Sequence, residues 1–184
     1  RAGDAAAALA ALGRFRLLCA HRRGPAGAAT WGEILDRWIG AATGGHHEEG
    51  PWYAGRPLLV TANDYSLRLF NGDTGVVVAT PGGRLAAAFE RAGEIVEVSP
   101  TRLAAVETVH AMTVHKSQGS QFDAVAVVLP PPDSPALTRE LLYTAVTRAR
   151  REVLIAGTEE ALRTAVTRPI ARSSGLGRRL WGHG

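Results

Sequence analysis

Residues 111–129 read AMTVHKSQGSQFDAVAVVL. Within that stretch, Ala124–Leu129 is short and wholly apolar, the pattern of a strand buried on both faces of a parallel sheet. Pro130-Pro131-Pro132 ends it, because proline gives no N–H to a ladder. Upstream, Glu107–Val114 reads as a second strand. Its end delivers Thr113, His115, Lys116, Ser117 and Gln118 in quick succession. Such side chains donate to phosphate and sugar oxygens, and Gly119 permits close backbone approach. The segment is a candidate polyanion site on an α/β frame, with a plain polar turn as the competing reading.

The α/β pattern continues in both directions. A helix is expected from Thr138 to Ala149, with Glu140 in its first turn, where the helix dipole favours a carboxylate. At helical spacing Leu142, Ala145, Val146 and Ala149 form one stripe, and Leu141, Thr144 and Arg148 lie along a neighbouring face. Arg148 is thereby a constrained cation suited to bidentate phosphate contact, with a surface arginine cluster favoured by the helix C-terminus as the competing reading. Glu152–Ala156 reads as a strand, Thr158 as the cap of a helix from Glu159 to Val166, and a last helical stretch as running to Trp181. On the N-terminal side, Ala5–Leu12 reads as a helix and Arg14–Ala20 as a buried strand. The basic turn HRRGPAGAA (21–29) follows, then a helix from Trp31 to Ile39 capped by Thr30.

The middle of the chain differs. Strands are expected over 57–62, 74–80, 84–90 and 94–98, joined by Asn71-Gly72-Asp73, Pro81-Gly82-Gly83 and Ala92-Gly93. Short strands with tight turns predict a small β-barrel. The expected organisation is one α/β domain, 1–50 and 103–184, interrupted by a β insertion over 51–102.

Composition narrows the partners. The chain has 184 residues, 46% of them hydrophobic, with a net charge of +4 and a pI near 10.0. A basic balance favours an anionic partner, nucleic acid first. Of the 21 basic residues only Lys116 is lysine; the arginine bias also fits GC-rich coding, which would carry no function. No apolar run is long enough to span a bilayer. Cys19 is the only cysteine, so no intrachain disulfide can form, as suits a cytoplasmic protein. The chain opens on Arg1, which predicts a piece of a longer protein.

Some chemistry is missing or doubtful. A P-loop needs Gly-Lys-Ser/Thr after a strand, and here the single lysine follows His115. Glu159-Glu160 follow a helix cap and read as dipole partners, not as a metal-binding pair. His46-His47-Glu48-Glu49 are adjacent on a Gly-flanked connector and do not have ligand spacing, so no metal is expected. Trp31 and Trp38 are assigned to core or interface. Tyr65 and Phe70 are assigned to packing within the insertion, although aromatics beside Arg68 also suit base stacking.

TVHKSQGSQF (113–122) followed by LLYTAVTRARR (141–151) resembles motifs V and VI of superfamily 1 helicases, in the 5′-to-3′ branch (superfamily 1B). LLCAHRRGP (17–25) is similar to the motif IV strand and turn. WYAGRP (52–57) and LFNGDTG (69–75) are similar to an SH3-like insertion, and RSSGLG (172–177) to the family's tail. The resemblance covers about residues 14 to 180 and is closest to RecD, the alpha subunit of exodeoxyribonuclease V (RecBCD).

The resemblance implies a RecA-like, P-loop NTPase-type second motor domain with a parallel sheet, interrupted by an SH3-like β-barrel. ATP with Mg²⁺ would bind in a cleft against the N-terminal P-loop motor domain, which carries the Mg²⁺ ligands and is absent here. Arg148 would be an arginine finger and Arg22 a second γ-phosphate contact, in preference to Arg23. Gly119, Gln121 and Gln118 would lie beside the nucleotide, with Gln121 standing where the family usually has Glu. Thr113, His115, Lys116 and Ser117 would face single-stranded DNA. Implied partners are RecB- and RecC-like subunits, the process is double-strand break repair, and the isolated chain is expected to be inactive. Two other readings stand beside this one: a non-catalytic nucleic-acid-binding or docking module, and a stand-alone or relaxase-linked helicase of the same branch.

Overall fold

A computed structural model describes residues 4–43 and 50–170. The expectations for His46–Glu49, for the 172–177 tail and for a helix reaching Trp181 lie outside the described residues. The chain runs α1 (Ala5–Leu12), β1 (Phe15–Cys19), α2 (Ala28–Thr43), β2 (Pro57–Val60), β3 (Thr74–Ala79), β4 (Leu85–Arg91) and β5 (Glu94–Val98). It continues through β6 (Val106–Thr108), β7 (Ala111–Thr113), β8 (Phe122–Val128), α3 (Arg139–Val146), β9 (Ala149–Ala156) and α4 (Glu159–Thr167).

Four strands form a parallel sheet in the order β7-β1-β8-β9. Side chains alternate across a strand, so β1 sends Leu17 and Cys19 to one face and Leu18 to the other. Leu17, Cys19, Ala126 and Val128 pack under α2 with Trp31 and Leu35. On the opposite face Leu18, Val125 and Val127 meet Leu141 and Ala145 of α3 and Ala161 and Ala165 of α4. This three-layer arrangement is the RecA-like α/β architecture. Thr138 and Thr158 cap α3 and α4, each side chain accepting from the backbone N–H three residues on, at 3.2 and 3.1 Å.

The second sheet is antiparallel, in the order β5-β4-β3-β2-β6, with β5 and β6 at its edges. Leu58, Val60, Leu69, Val77, Ala87 and Phe89 fill one face. Its other face, with Val76, Val78, Ala86 and Ala88, is covered by Ala5, Ala8 and Leu9 of α1.

Several elements differ from the sequence expectation. Glu107–Val114 is not one strand. β6 pairs antiparallel with β2, whereas β7 pairs parallel with β1. The chain changes sheets at Val109, whose N–H donates to Pro57 O at 3.0 Å and whose carbonyl accepts from Arg16 Nη1 at 2.6 Å. Arg16 is buried, and desolvation lowers its pKa to about 10. Helix α2 starts at Ala28, three residues early; Thr30 does not cap it but donates to Gly24 O at 3.0 Å, closing the preceding turn. Helix α3 ends at Val146 and β9 begins already at Ala149, because Phe122 N–H donates to Arg148 O at 2.8 Å and draws that residue into the sheet's edge. Trp38 is exposed, as are Tyr65 and Phe70, so these three side chains do not join the core.

Candidate functional site at the two ends of the parallel sheet

The polar segment 114–121 leaves the C-terminal end of β7 and returns to the N-terminal start of β8, so it traverses the sheet from one end to the other. Its curl is held from inside. Ser117 is fully buried and its hydroxyl donates to Val114 O at 2.7 Å. Thr113 Oγ1 accepts from Lys116 N–H at 3.3 Å. Ser117 is therefore removed from the group expected to face DNA: its side chain shapes the turn and has no surface to offer. Gly119 takes a φ of 85°, a left-handed turn that glycine adopts without strain.

At the C-terminal end, Arg22 leaves the turn after β1. That turn closes through Gly27 N–H to Gly24 O at 2.8 Å. A Cβ on Gly27 would lie 2.5 Å from the Arg23 carbonyl carbon, so the turn accepts no side chain there. Arg22 Nη2 donates to Glu107 Oε1 at 3.0 Å, and Lys116 Nζ approaches Glu107 Oε2 at 3.5 Å. One carboxylate from the antiparallel sheet thus joins two cations of the parallel sheet. These groups line a cleft of about 380 Å³ between α2 and β6, together with Thr113. His115 and Gln118 line a separate hollow of about 180 Å³ against α3, with Thr138 and Thr144.

At the N-terminal end, Arg148 follows α3. Its Nε donates to Thr144 O at 3.2 Å, Nη1 to Ser120 O at 3.2 Å, and Nη2 lies 3.4 Å from Thr147 Oγ1. These contacts engage three of its five N–H donors and set the guanidinium beside Gly119 and Gln121, both exposed. The two arginines expected at one phosphate stand apart. Cys19 is level with Val128 and Ala149 with Phe122, which separates the two ends by about 20 Å of strand. The fold therefore gathers Thr113, Lys116 and Arg22 at one end and Gly119, Gln121 and Arg148 at the other.

Sequence reasoning missed Glu107, which is 85 residues from Arg22; no local pattern marks such a partner. It also missed a cluster at the crossing between the sheets. Tyr53 OH donates to Asp36 Oδ1 at 2.6 Å, and His110 Nε2 lies 2.8 Å from the same oxygen. Among the described residues no group of His, Cys, Asp and Glu has metal-binding geometry, and no helix is long and apolar enough to cross a membrane.

Residues 108–156 match the UvrD-like helicase C-terminal domain family. The chain is 56% identical over 178 residues to the RecBCD enzyme subunit RecD of Mycolicibacterium smegmatis, a match covering 97% of this chain and 31% of that protein. It is 40% identical over 136 residues to the Haemophilus influenzae protein of the same name, covering 72% of this chain and 19% of that one. To the ATP-dependent RecD2 DNA helicase of Deinococcus radiodurans it is 35% identical over 173 residues, covering 93% and 24%. A structure of Pif1 helicases at forked double-stranded DNA superposes with a TM-score of 0.49 at 18% identity, covering 80% of this chain and 40% of that one. The chain thus spans about a third or less of the length of these curated relatives. On these sequence matches, the chain belongs to the RecD family.

Proposed function

We propose that this chain is the second motor domain of an ATP-dependent 5′-to-3′ DNA helicase of double-strand break repair, working against a P-loop domain that it does not contain. Arg148 is the arginine finger. The observation that carries this reading is its mounting: a guanidinium held by Thr144 and Ser120 beside the exposed backbone of Gly119. A fixed cation next to a glycine with positive φ suits a nucleotide polyphosphate. Gly119 and Gln121 flank the nucleotide on this side, and Gln118, expected with them, lies in the hollow it shares with His115 against α3. The Mg²⁺ carboxylates belong to the missing domain. The expected role of Arg148 is to stabilise charge on the transferring phosphoryl group, worth about 10³-fold or more in rate.

Thr113, His115 and Lys116 form the single-stranded DNA side at the other end of the sheet. Arg22 joins them instead of the γ-phosphate, because it shares Glu107 with Lys116 and lies about 20 Å of strand from Arg148. We take the SH3-like insertion, expected over 51–102, to run on through β6 to Thr108, because β6 ladders with β2, and we take the remainder as the motor lobe. RecB- and RecC-like subunits are the proposed partners, since relatives are named as RecBCD subunits. The likeness to a RecD2 helicase supports a second reading, a stand-alone motor. Co-purification of the full-length protein from its own cells distinguishes the two.

The test is Arg148→Ala in the longer protein that includes the P-loop domain. Turnover should fall about 10³-fold or more while ATP still binds. Undiminished turnover by a folded variant refutes the assignment. The isolated chain should show no ATP hydrolysis.

A further inference from the structure

We propose that the Tyr65–Phe70 pair on the loop between β2 and β3 is a base-stacking subsite for single-stranded DNA, continuing the strand's path beyond the Arg22–Lys116 cleft. The proposal rests on the reading that this cleft takes single-stranded DNA.

Tyr65 is 76% exposed and Phe70 43% exposed, although Leu69 between them and the core is 1% exposed. The rings meet edge to face, with centroids 6.2 Å apart at 79°, so neither is stacked flat on the other. The guanidinium of Arg91 sits 5.6 Å from the Phe70 ring centroid. Aromatic faces interleaved with guanidinium groups are the chemistry of sequence-tolerant single-strand binding: bases stack on the rings and phosphates meet the cations.

The loop is built rather than loose. Asp64 and Leu69 exchange backbone hydrogen bonds at 2.7 and 2.9 Å. Asp64 Oδ1 accepts from Ser66 N, Ser66 Oγ and Leu67 N at 2.9, 2.7 and 3.0 Å. Asn63 Oδ1 accepts from Asn71 N at 2.9 Å, and Asn63 Nδ2 donates to the Tyr65 hydroxyl at 3.3 Å. Arg68 is held at a φ of 53°, a left-handed conformation that is strained for a residue with a side chain. Rigid presentation of exposed rings lowers the entropy lost on binding.

The local charge favours nucleic acid over a proline-rich peptide, which also docks on exposed aromatics. The two carboxylates of the loop face its own backbone: Asp64 as above, and Asp73 Oδ2 accepting from Phe70 N at 2.8 Å. Arg68 is exposed two residues before Phe70, and Arg91 lies over the Phe70 ring with Glu94 its register partner on β5. The position is continuous with the cleft. Glu107 and Thr108 of β6 line the Arg22–Lys116 cleft, and Val106 of β6 with Ala105 just before it lines the hollow beside Tyr65, a span of about 10 Å.

Fluorescence anisotropy with a labelled single-stranded oligonucleotide and the whole chain tests this. Tyr65→Ala and Phe70→Ala should each weaken binding between about fivefold and a hundredfold. The slope of log affinity against log salt should stay unchanged, and Tyr65→Phe should bind as the wild type. Arg91→Gln should instead make that slope shallower by about 0.7. With an oligonucleotide carrying abasic sites, Tyr65→Ala should lose nothing further. If the aromatic variants bind as the wild type while Lys116→Ala weakens binding, the stacking subsite is refuted and the DNA-binding cleft stands. If Lys116→Ala is also silent, both fall. Capture of a polyproline peptide, abolished by Tyr65→Ala with DNA affinity unchanged, overturns the proposal in favour of a peptide site.

Discussion

Glu107, on the edge strand of the antiparallel sheet, accepts from the Arg22 guanidinium of the parallel sheet at 3.0 Å, and its second oxygen lies 3.5 Å from Lys116. On the proposed reading of this cleft, a carboxylate thus occupies the place between two cations that a DNA phosphate would take. Glu107→Gln should therefore strengthen single-stranded DNA binding. The pair is exposed, 66% for Arg22 and 46% for Glu107, and exposed pairs contribute about 0.2–1 kcal/mol. The expected gain is thus at most about fivefold at low salt, fading as salt screens the charges. Anisotropy titrations over a salt series check it, and weaker binding by the variant would refute the competition.

Gly27→Ala should disturb the turn that presents Arg22. The new methyl would meet Arg23 backbone atoms at 2.5 and 2.6 Å, so the turn has to shift. Overpacking of this kind costs about 1–3 kcal/mol, a fall of some 2–4 °C in melting temperature per kcal/mol for a chain of this size. Thermal melts should show that loss, and DNA affinity should drop with it. An unchanged melt would mean that the turn is softer than its contacts indicate.

Cys19 should ignore thiol reagents in the native protein. It is completely buried, and burial raises its pKa from 9.0 to about 12, leaving almost no thiolate at neutral pH. One thiol should react on unfolding in guanidinium. The sign of the linkage follows. The folded state keeps a proton that the unfolded chain loses, so this group's contribution is constant below pH 9 and falls as pH rises towards 12. Rapid labelling under native conditions would contradict this.

Tyr53→Phe should loosen the crossing between the two sheets. It removes the O–H donor at 2.6 Å from Asp36, the carboxylate that also meets His110. A hydrogen bond to a charged acceptor contributes about 1.5–3 kcal/mol, so the melting temperature should fall by several degrees. Burial, then the Asp36 hydrogen bond, then its charge raise the Tyr53 pKa. In an alkaline absorbance titration one of the three tyrosines should ionise late, and the variant should lack that late step. A variant with an unchanged titration would show that the late group is another tyrosine.

Much of the frame was legible along the chain because it is written in short-range chemistry. The apolar run at Ala124–Leu129 is typical of a strand covered on both faces, and β8 is that strand. Thr138 and Thr158 start helices through hydrogen bonds that reach three residues. Boundaries failed where a distant partner competed with local propensity. Arg148 and Ala149 look helical by spacing, yet Phe122 pairs with Arg148 and draws the chain into β9. Glu107–Val114 looks like one strand, yet its halves ladder with different sheets. Packing of Tyr65 and Phe70 was the natural expectation for a small β unit, and Leu69 took the core position instead.

The polar segment 113–121 and the Arg148 turn were singled out from the sequence as candidate phosphate contacts, and both lie within the residues 108–156 that match the UvrD-like helicase C-terminal domain family. The sequence alone determined the α/β class, the antiparallel middle, the lack of a P-loop and these candidate ligand groups, because periodicity, turn residues and missing side chains are all local facts. Only the tertiary structure decided that Ser117 points inward, that Arg22 stands with Lys116 rather than with Arg148, and that Glu107 joins the first two. Those outcomes depend on strand direction and on the register at which two sheets meet, and neither is encoded within reach of a single turn.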